Sequence, residues 1–502
     1  MNKPAVRRAP GRSAEEVQAA VERFLKASRE PALLEPGEEL IRLDAGHFTL
    51  DTRNSRLTLQ VWNAQRNVVR RIVDVREESR GRLELVAERF AGRQGALFLI
   101  DLARSSNREW ERRGTRMVFR ERFRYFLARE FPDWKLTELS TEQNLEHSLS
   151  PAYPRALLKR GATGLAAIGA GPEALDPSGA LSFGLIWLDY LRRRDSRLTI
   201  EGLILFLPAG EEQTTCLRLQ FLNPSAARFQ VFAYSERDYA ARLDLSDSGN
   251  LDTRLDVCAT PALVHNETLA SLLSIEGVER VDLVDGEISL RVRGLEFART
   301  HGAEFLFGLS DRVPLRVGHN AAVEQLARAL AGMRSPEASH RSELYMENPE
   351  AWLESEVRRN IEAIDAALLP APLYGQVPAF AACDRGIIDL LAADRSGRLA
   401  VLELKASADI HLPLQALDYW MRVRWHLAQN EFTARGYFPG IALRQDSPRI
   451  LLIAPALEFH PSTEMILRYF APEIEIERIG LGIGWRRELQ VMFRIRGAGS
   501  PD

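Results

Sequence analysis

Hydrophobic and polar positions change period along the chain, and each change marks an element. Val17, Val21, Phe24 and Leu25 recur at helical spacing in AEEVQAAVERFLKA, after a basic, polar stretch from Met1 to Ser13 that predicts a disordered arm. Between Ile41 and Asp101 the pattern turns strand-like. FTLDTRNSRLTLQVW, GRLELVAERF and GALFLIDL are short β-prone runs separated by Asn, Ser, Gly and Arg. EWERRGTRMVFRERFRYFLAREFPDW predicts a helix and LSFGLIWLDYLRRR a buried one, while IEGLILFLPAG, TTCLRLQFLN and RFQVFAYS read as successive strands. VERVDLVDGEISLRVRGLEFAR predicts a hairpin turning at Asp285-Gly286, and NAAVEQLARALAGM a helix. RSPEASHRSE is polar, with Pro and Ser, and reads as a linker.

Beyond it, Leu353, Val357, Ile361, Ile364 and Leu368 form one apolar helical stripe, which Pro370 and Pro372 end. Two strand-like runs follow, Gly386 to Ala392 and Arg398 to Lys405, joined by the turn signal DRSG. LPLQALDYWMRVRWH then reads as a helix starting near Pro413, and RILLIAPALEFHP as a further buried strand. The chain is thus expected to be α/β, a multidomain α+β protein. The pattern divides it into a β-rich domain with a basic helix (1–135), an α/β middle domain (136–333), a linker (334–344) and a C-terminal domain (345–502).

Composition narrows the classes. With 502 residues, 45% hydrophobic and 27% charged, the chain is long enough for several buried cores. A formal net charge of −3 gives no global basic field, so any contact with nucleic acid has to come from local patches. Cys216, Cys258 and Cys383 form no metal-ligand spacing, so neither a zinc knuckle nor an iron–sulfur cluster is expected, and their sparse, odd count suits a reducing cytoplasm. The N-terminus lacks the apolar centre of a secretory signal, and no run is long enough for a membrane span, so a cytoplasmic protein with no membrane partner is expected. There is no GxxxxGK[ST], so any helicase or repair partner would be a separate chain. In the basic helix, Arg112, Arg113, Arg116, Arg120, Arg122, Arg124 and Arg129 alternate with aromatic residues. They make either a phosphate-contacting face or, more commonly, a solvated face offset by Glu109, Glu111, Glu121 and Glu130.

The chemistry concentrates in Gly386 to Trp420. Side chains alternate along a strand, so Glu403 and Lys405 share a face while Leu402 and Leu404 point away. Asp389 sits in an apolar run, an expensive place for a lone carboxylate. A hairpin brings Asp389 beside Glu403, and two buried carboxylates repel unless a cation lies between them. Mg²⁺, or Mn²⁺, is the natural guest, a hard cation that takes carboxylate oxygens and keeps waters. Lys405 would then hold or deprotonate a water and balance charge on a phosphate. Gln415 and Tyr419, four residues apart, lie on one helix face, where Gln415 can orient the site. The alternative is a plain hairpin with Asp389 and Glu403 at a solvated edge and Lys405 paired to Glu403. Asp409, His411, Arg422 and Arg424 are further substrate-contact candidates; Trp420 and Trp425 read as core, and His460 as a surface residue.

Taken in order, helix-Glu, GxxD, ExK and QxxxY resemble the PD-(D/E)XK nuclease superfamily, in its RecB-like and NucS-type flavour. The residues are Gly386, Ile388, Asp389, Leu390 and Leu391, then Glu403-Leu404-Lys405, then Gln415 and Tyr419. The resemblance covers residues 345 to about 455. It implies a restriction-endonuclease-like mixed sheet flanked by helices, Mg²⁺-dependent hydrolysis of nucleic-acid phosphodiesters with DNA favoured over RNA, and Asp389 and Glu403 as metal ligands. Such families often add a helix glutamate. Glu354 lies nearer the apolar stripe than Glu356 and is expected to be that ligand. A nuclease fold that has lost activity and only binds is the rival reading. The middle region, a helix followed by strands, could pass for a nuclease-like core. It has no carboxylate–x–lysine triplet on a strand, and Asp133-Trp134-Lys135 has no acidic hairpin partner before it, so it is read as structural or substrate-binding.

Overall fold

The computed structural model describes residues 13–497 except 30, 35–40, 44–47, 54–55, 64–65, 80, 89–93, 102–107, 172–173, 175, 236–239, 247–252, 260–266, 302–303, 310, 317–318, 339–342 and 382–383. Only the backbone is described at 34, 42, 53, 56, 62–63, 66–67, 79, 108–118, 267–268, 301, 376–381 and 384–388. The proposed N-terminal arm and the side chains of Arg112, Arg113 and Arg116 therefore lie outside the described residues.

The chain is mixed α and β with several multi-stranded sheets, and forms two compact units. One comprises described residues of 1–214, 229–244 and 382–384; the other comprises 215–228, 245–381 and 385–497. The span 136–333 is thus shared between units, and 334–344 lies within the second. Arg334 is fully buried there, its guanidinium donating to the carbonyls of Leu344, Glu347 and Arg293.

The first unit opens with α1 (Ala14–Ala27), started by a capping box between Ser13 and Glu16. Its Val17, Val21 and Phe24 pack on an antiparallel sheet of β1 (Pro31–Leu34), β2 (Ile41–Arg42), β3 (Phe48–Arg53), β4 (Arg56–Asn63), β5 (Arg66–Ser79), β6 (Arg82–Glu88) and β7 (Gln94–Asp101), in the order β2-β1-β7-β6-β5-β4-β3. Next comes α2 (Arg108–Glu130), then β8 (Lys135–Ser140), β9 (Arg155–Arg160), β10 (Thr163–Gly169), α3 (Ala180–Arg194), β11 (Thr199–Pro208), α4 (Gln213–Leu219), whose residues from Thr215 on belong to the second unit, β12 (Arg228–Tyr234) and β13 (Ala240–Arg242). These strands make a second sheet in the order β13-β12-β11-β10-β9-β8. On α2, Phe119, Phe123, Phe126 and Leu127 are core, Arg122 lies over the Phe126 and Tyr234 rings, and Arg129 bonds the Ala240 carbonyl. TTCLRLQFLN, expected as a strand, instead forms α4. Thr215, Cys216 and Leu219 bury one helical side, and a short apolar run cannot by itself distinguish the two periods.

The second unit holds α5 (Glu267–Leu273) and a small sheet of β14 (Val278–Asp282), β15 (Ile288–Val292), β16 (Leu295–His301), β17 (Glu304–Phe307) and β18 (Val313–Pro314), in sequential order. Its first hairpin turns at Asp285-Gly286 as expected, with Gly286 at φ 83°, a conformation glycine adopts freely. After α6 (Asn320–Met333) and α7 (Glu343–Met346) come α8 (Pro349–Arg359) and α9 (Ile361–Ile364). The last sheet runs β19 (Tyr374–Ala381), β20 (Asp384–Ala393), β21 (Leu399–Leu404), β22 (Arg449–Pro455), β23 (Ile476–Leu481) and β24 (Val491–Arg496) in order, with α10 (Leu412–Ala428), α11 (Glu431–Ala434) and α12 (Ser462–Leu467) in the connections. β20 and β21 are antiparallel, and β21, β22 and β23 are parallel. The pleat sorts the side chains. Leu390, Ala392, Ala400 and Leu402 pack with Trp352, Leu353 and Val357 of α8; Leu391, Ala393, Leu399 and Val401 pack with Val423 and Leu427 of α10.

Candidate metal centre

Leu390 pairs with Leu402 across the β20–β21 hairpin, and one further step in that register sets Asp389 opposite Glu403. Both carboxylates therefore share the face that α10 covers, since Leu391 and Val401 of the same parity pack on α10. Asp389 is half-buried and its Oδ2 accepts the Leu404 backbone N–H at 2.8 Å. Glu403 is 2% exposed, and its Oε2 has no hydrogen-bond partner.

Lys405, just past β21, is fixed by its backbone N–H to the Ile453 carbonyl at 3.0 Å. Its Nζ stands 3.7 Å from Glu403, 3.8 Å from Glu350 and 3.9 Å from Asp409. With Asp389 also in its field, four carboxylates face one ammonium. The electrostatics follow. Burial, then the Asp389 charge, pushes the Glu403 carboxyl well up. Burial raises Asp389 to about 7, with Lys405 opposing and Glu350 adding. Burial raises Glu350 too, against Lys405. Burial works to lower Lys405, but Glu350, Glu403, Asp409 and Asp389 outweigh it, and the ammonium holds its proton more tightly than usual.

From α10, Gln415 and Tyr419 point the same way. The Gln415 Oε1 is buried without a hydrogen-bond partner. Burial, then Glu403 and Asp389, raises the Tyr419 hydroxyl well above its ordinary value, so it remains a donor. Arg422, one turn on, is buried, not at the surface, and its charge acts on the Tyr419 hydroxyl. His411 is the N-cap residue of α10, and its backbone N–H is held by Asp409 Oδ1 at 2.7 Å.

The helix glutamates separate. Asn348 caps α8 by accepting the Ala351 N–H, with Pro349 in the first turn, so Glu350 stands at the helix N-terminus beside Lys405. Glu354, one turn further, is held by Arg358 at 2.7 Å and lies 3.8 Å from Arg291 of β15; it reaches Asp389 only through its field. Gly375 permits this pair, because a Cβ there would stand 2.2 Å from Arg358 Nη2 and 2.8 Å from Glu354 Oε1. Glu356 is taken by Trp352 Nε1 and Arg359. Glu350 and Glu354 are four residues apart and share one helix face, and it is Glu350, a turn nearer the N-terminus, that stands beside Lys405. His460, expected at the surface, is half-buried, tied to Ser462 and within the fields of Asp409 and His411. Its sequence neighbours carry no sign of this.

Among the described residues no group of three or more His, Cys, Asp or Glu is gathered closely enough to hold a metal ion. Two carboxylates on adjacent strands nevertheless match Mg²⁺, which takes one or two carboxylates and keeps several waters. The partnerless, deeply buried Glu403 oxygen is the group that a hard cation would satisfy. Compared with protein-family models and with curated proteins, the chain matches none. Among the described residues, no helix is long and apolar enough to cross a membrane.

Proposed function

We propose that the chain is a divalent-metal-dependent nuclease of the PD-(D/E)XK type, acting on nucleic acid, with DNA the favoured substrate. The observation that carries this reading is Glu403: a carboxylate 2% exposed, one oxygen without a partner, facing Asp389 and opposed by a single lysine. Such a cluster is costly unless a cation completes it.

Asp389 and Glu403 would hold Mg²⁺ or Mn²⁺, with Glu350 the nearest helix carboxylate. A divalent cation bound there supplies Lewis-acid polarisation of a phosphate and an acidified water. Lys405, which keeps its proton, donates to water or to a phosphate oxygen and does not act as the base. Gln415 offers a free carbonyl to orient a water, and the Tyr419 hydroxyl donates within the same pocket. Glu350, Asp409 and Lys405 are the more open members, at 25%, 23% and 13% side-chain exposure, and mark the side from which a phosphate would enter.

The test uses the full chain with labelled single- and double-stranded DNA and RNA. Cleavage should require Mg²⁺ or Mn²⁺, stop in EDTA, and be lost in Glu403→Gln with circular dichroism unchanged. Undiminished cleavage by Glu403→Gln would remove the site. Absence of both cleavage and Mn²⁺ binding in the wild type would favour the rival, an inactive nuclease fold that binds nucleic acid or protein.

A further inference from the structure

The six-stranded sheet of the first unit repeats the order of the sheet that carries the candidate site. Both run in sequential strand order, β8 to β13 and β19 to β24. In each, the third strand is antiparallel to the second and parallel to the fourth: β10 to β9 and β11, β21 to β20 and β22. In each, a long helix, α3 or α10, links the third and fourth strands, and a short one, α4 or α12, links the fourth and fifth. The last two strands are antiparallel in both.

Register makes the correspondence residue by residue. β10 ends with Gly169 beside Phe206, and the next N–H, of Ala170, donates to the Phe206 carbonyl at 2.9 Å. β21 ends with Leu404 beside Ile453, and the next N–H, of Lys405, donates to the Ile453 carbonyl at 3.0 Å. Ala170 thus stands for Lys405, and Ile168 for Glu403. Ile168 pairs with Arg155, as Glu403 faces Asp389. The packing agrees independently. The preceding helix α2 covers Ala156, Leu158, Leu165, Ala167, Ile204 and Phe206, while α8 covers Leu390, Ala392, Ala400, Leu402, Leu451 and Ile453. All six pairs coincide under that register, and a one-residue slip would reverse the faces. Each long helix also buries a tryptophan that donates to a backbone carbonyl, Trp187 to Ala156 and Trp420 to Pro448.

We infer that α2, α3 and β8–β13 are a second copy of the candidate catalytic core, and that this copy holds no divalent metal, because Arg155, Ile168 and Ala170 replace Asp389, Glu403 and Lys405. Arg155 is a built-in cation. It is buried, its guanidinium donates to the carbonyls of Ser150 and Glu142 and to the Ser140 hydroxyl, and it lies 5.6 Å from the Trp187 ring. Where one core has two carboxylates in need of a cation, the other has a guanidinium already hydrogen-bonded by the fold. The inference rests on the metal reading of Asp389 and Glu403.

Mn²⁺ titration of the full chain, followed by electron paramagnetic resonance, tests it. The wild type should show saturable binding, and Asp389→Asn with Glu403→Gln should abolish all of it. Adding Arg155→Asp, Ile168→Glu and Ala170→Lys to that double variant should restore it. A wild type without saturable binding overturns the metal reading and this inference with it. Saturable binding that survives the double substitution overturns the inference alone, and does not depend on the fivefold variant folding. A fivefold variant that is folded by circular dichroism yet binds no Mn²⁺ overturns the equivalence of the two registers.

Discussion

Glu403 and Asp389 differ in how the fold holds them, and that difference is measurable. Glu403 has a partnerless oxygen, whereas Asp389 retains the Leu404 N–H. Glu403→Gln should therefore cost Mn²⁺ affinity at least the ~10–100-fold typical of outer-shell changes at metal sites, read by titration calorimetry. Asp389 supplies a pH signature. Its pKa in the fold is about 7 because burial, opposed by Lys405 and aided by Glu350, disfavours the anion. The unfolded chain has the ordinary value of about 3.9. A carboxyl raised in this way binds more protons folded than unfolded. Its stabilising contribution is complete below the ordinary value and is lost as pH rises through about 7. In EDTA, Asp389→Asn should then raise the melting temperature by several degrees at pH 8 and by clearly less at pH 5. Equal shifts at the two pH values would mean that Asp389 does not titrate in this window. Saturating Mn²⁺ should stabilise the wild type and leave the variant unmoved.

At the scale of elements, the hairpin and α10 were legible because their signals are local. Period-two alternation sets Asp389 and Glu403 on one face, and a four-residue spacing aligns Gln415 with Tyr419. Glu350 was hidden because periodicity identifies the face of α8 but not where the helix ends against the sheet. That depends on the Asn348 cap and on packing of α8 against residues of β20 and β21. α4 was misread for a related reason: seven residues with Thr and Cys fit either period, and tertiary burial decided. The two glutamates of α8 should part company on mutation. Glu354→Ala leaves Arg358 and Arg291 short of a carboxylate in a buried setting and should cost roughly 3–5 kcal/mol in urea unfolding, with Mn²⁺ binding kept. Glu350→Gln should spare stability and weaken Mn²⁺ binding about tenfold. The opposite pattern would restore Glu354 as the helix ligand.

At the scale of the whole molecule, composition and charge were the least informative signals. A net charge of −3 says nothing of a pocket in which four carboxylates surround one lysine. Sheet order was equally silent in the sequence, because it depends on pairings between segments tens of residues apart. The middle region lacks a carboxylate–x–lysine strand, and only its register reveals what stands in those positions: Arg155, Ile168 and Ala170. If only the core that carries Asp389 and Glu403 reacts, a consequence follows for the shape of the product. On a duplex, one copy of the chain would break one strand per encounter, and severing both would need a second visit or a second copy. Supercoiled plasmid should therefore pass through open circles before linear molecules accumulate, with the open-circle stage shortening as protein concentration rises. Linear product from the first turnover, at limiting protein, would point to a second reactive centre.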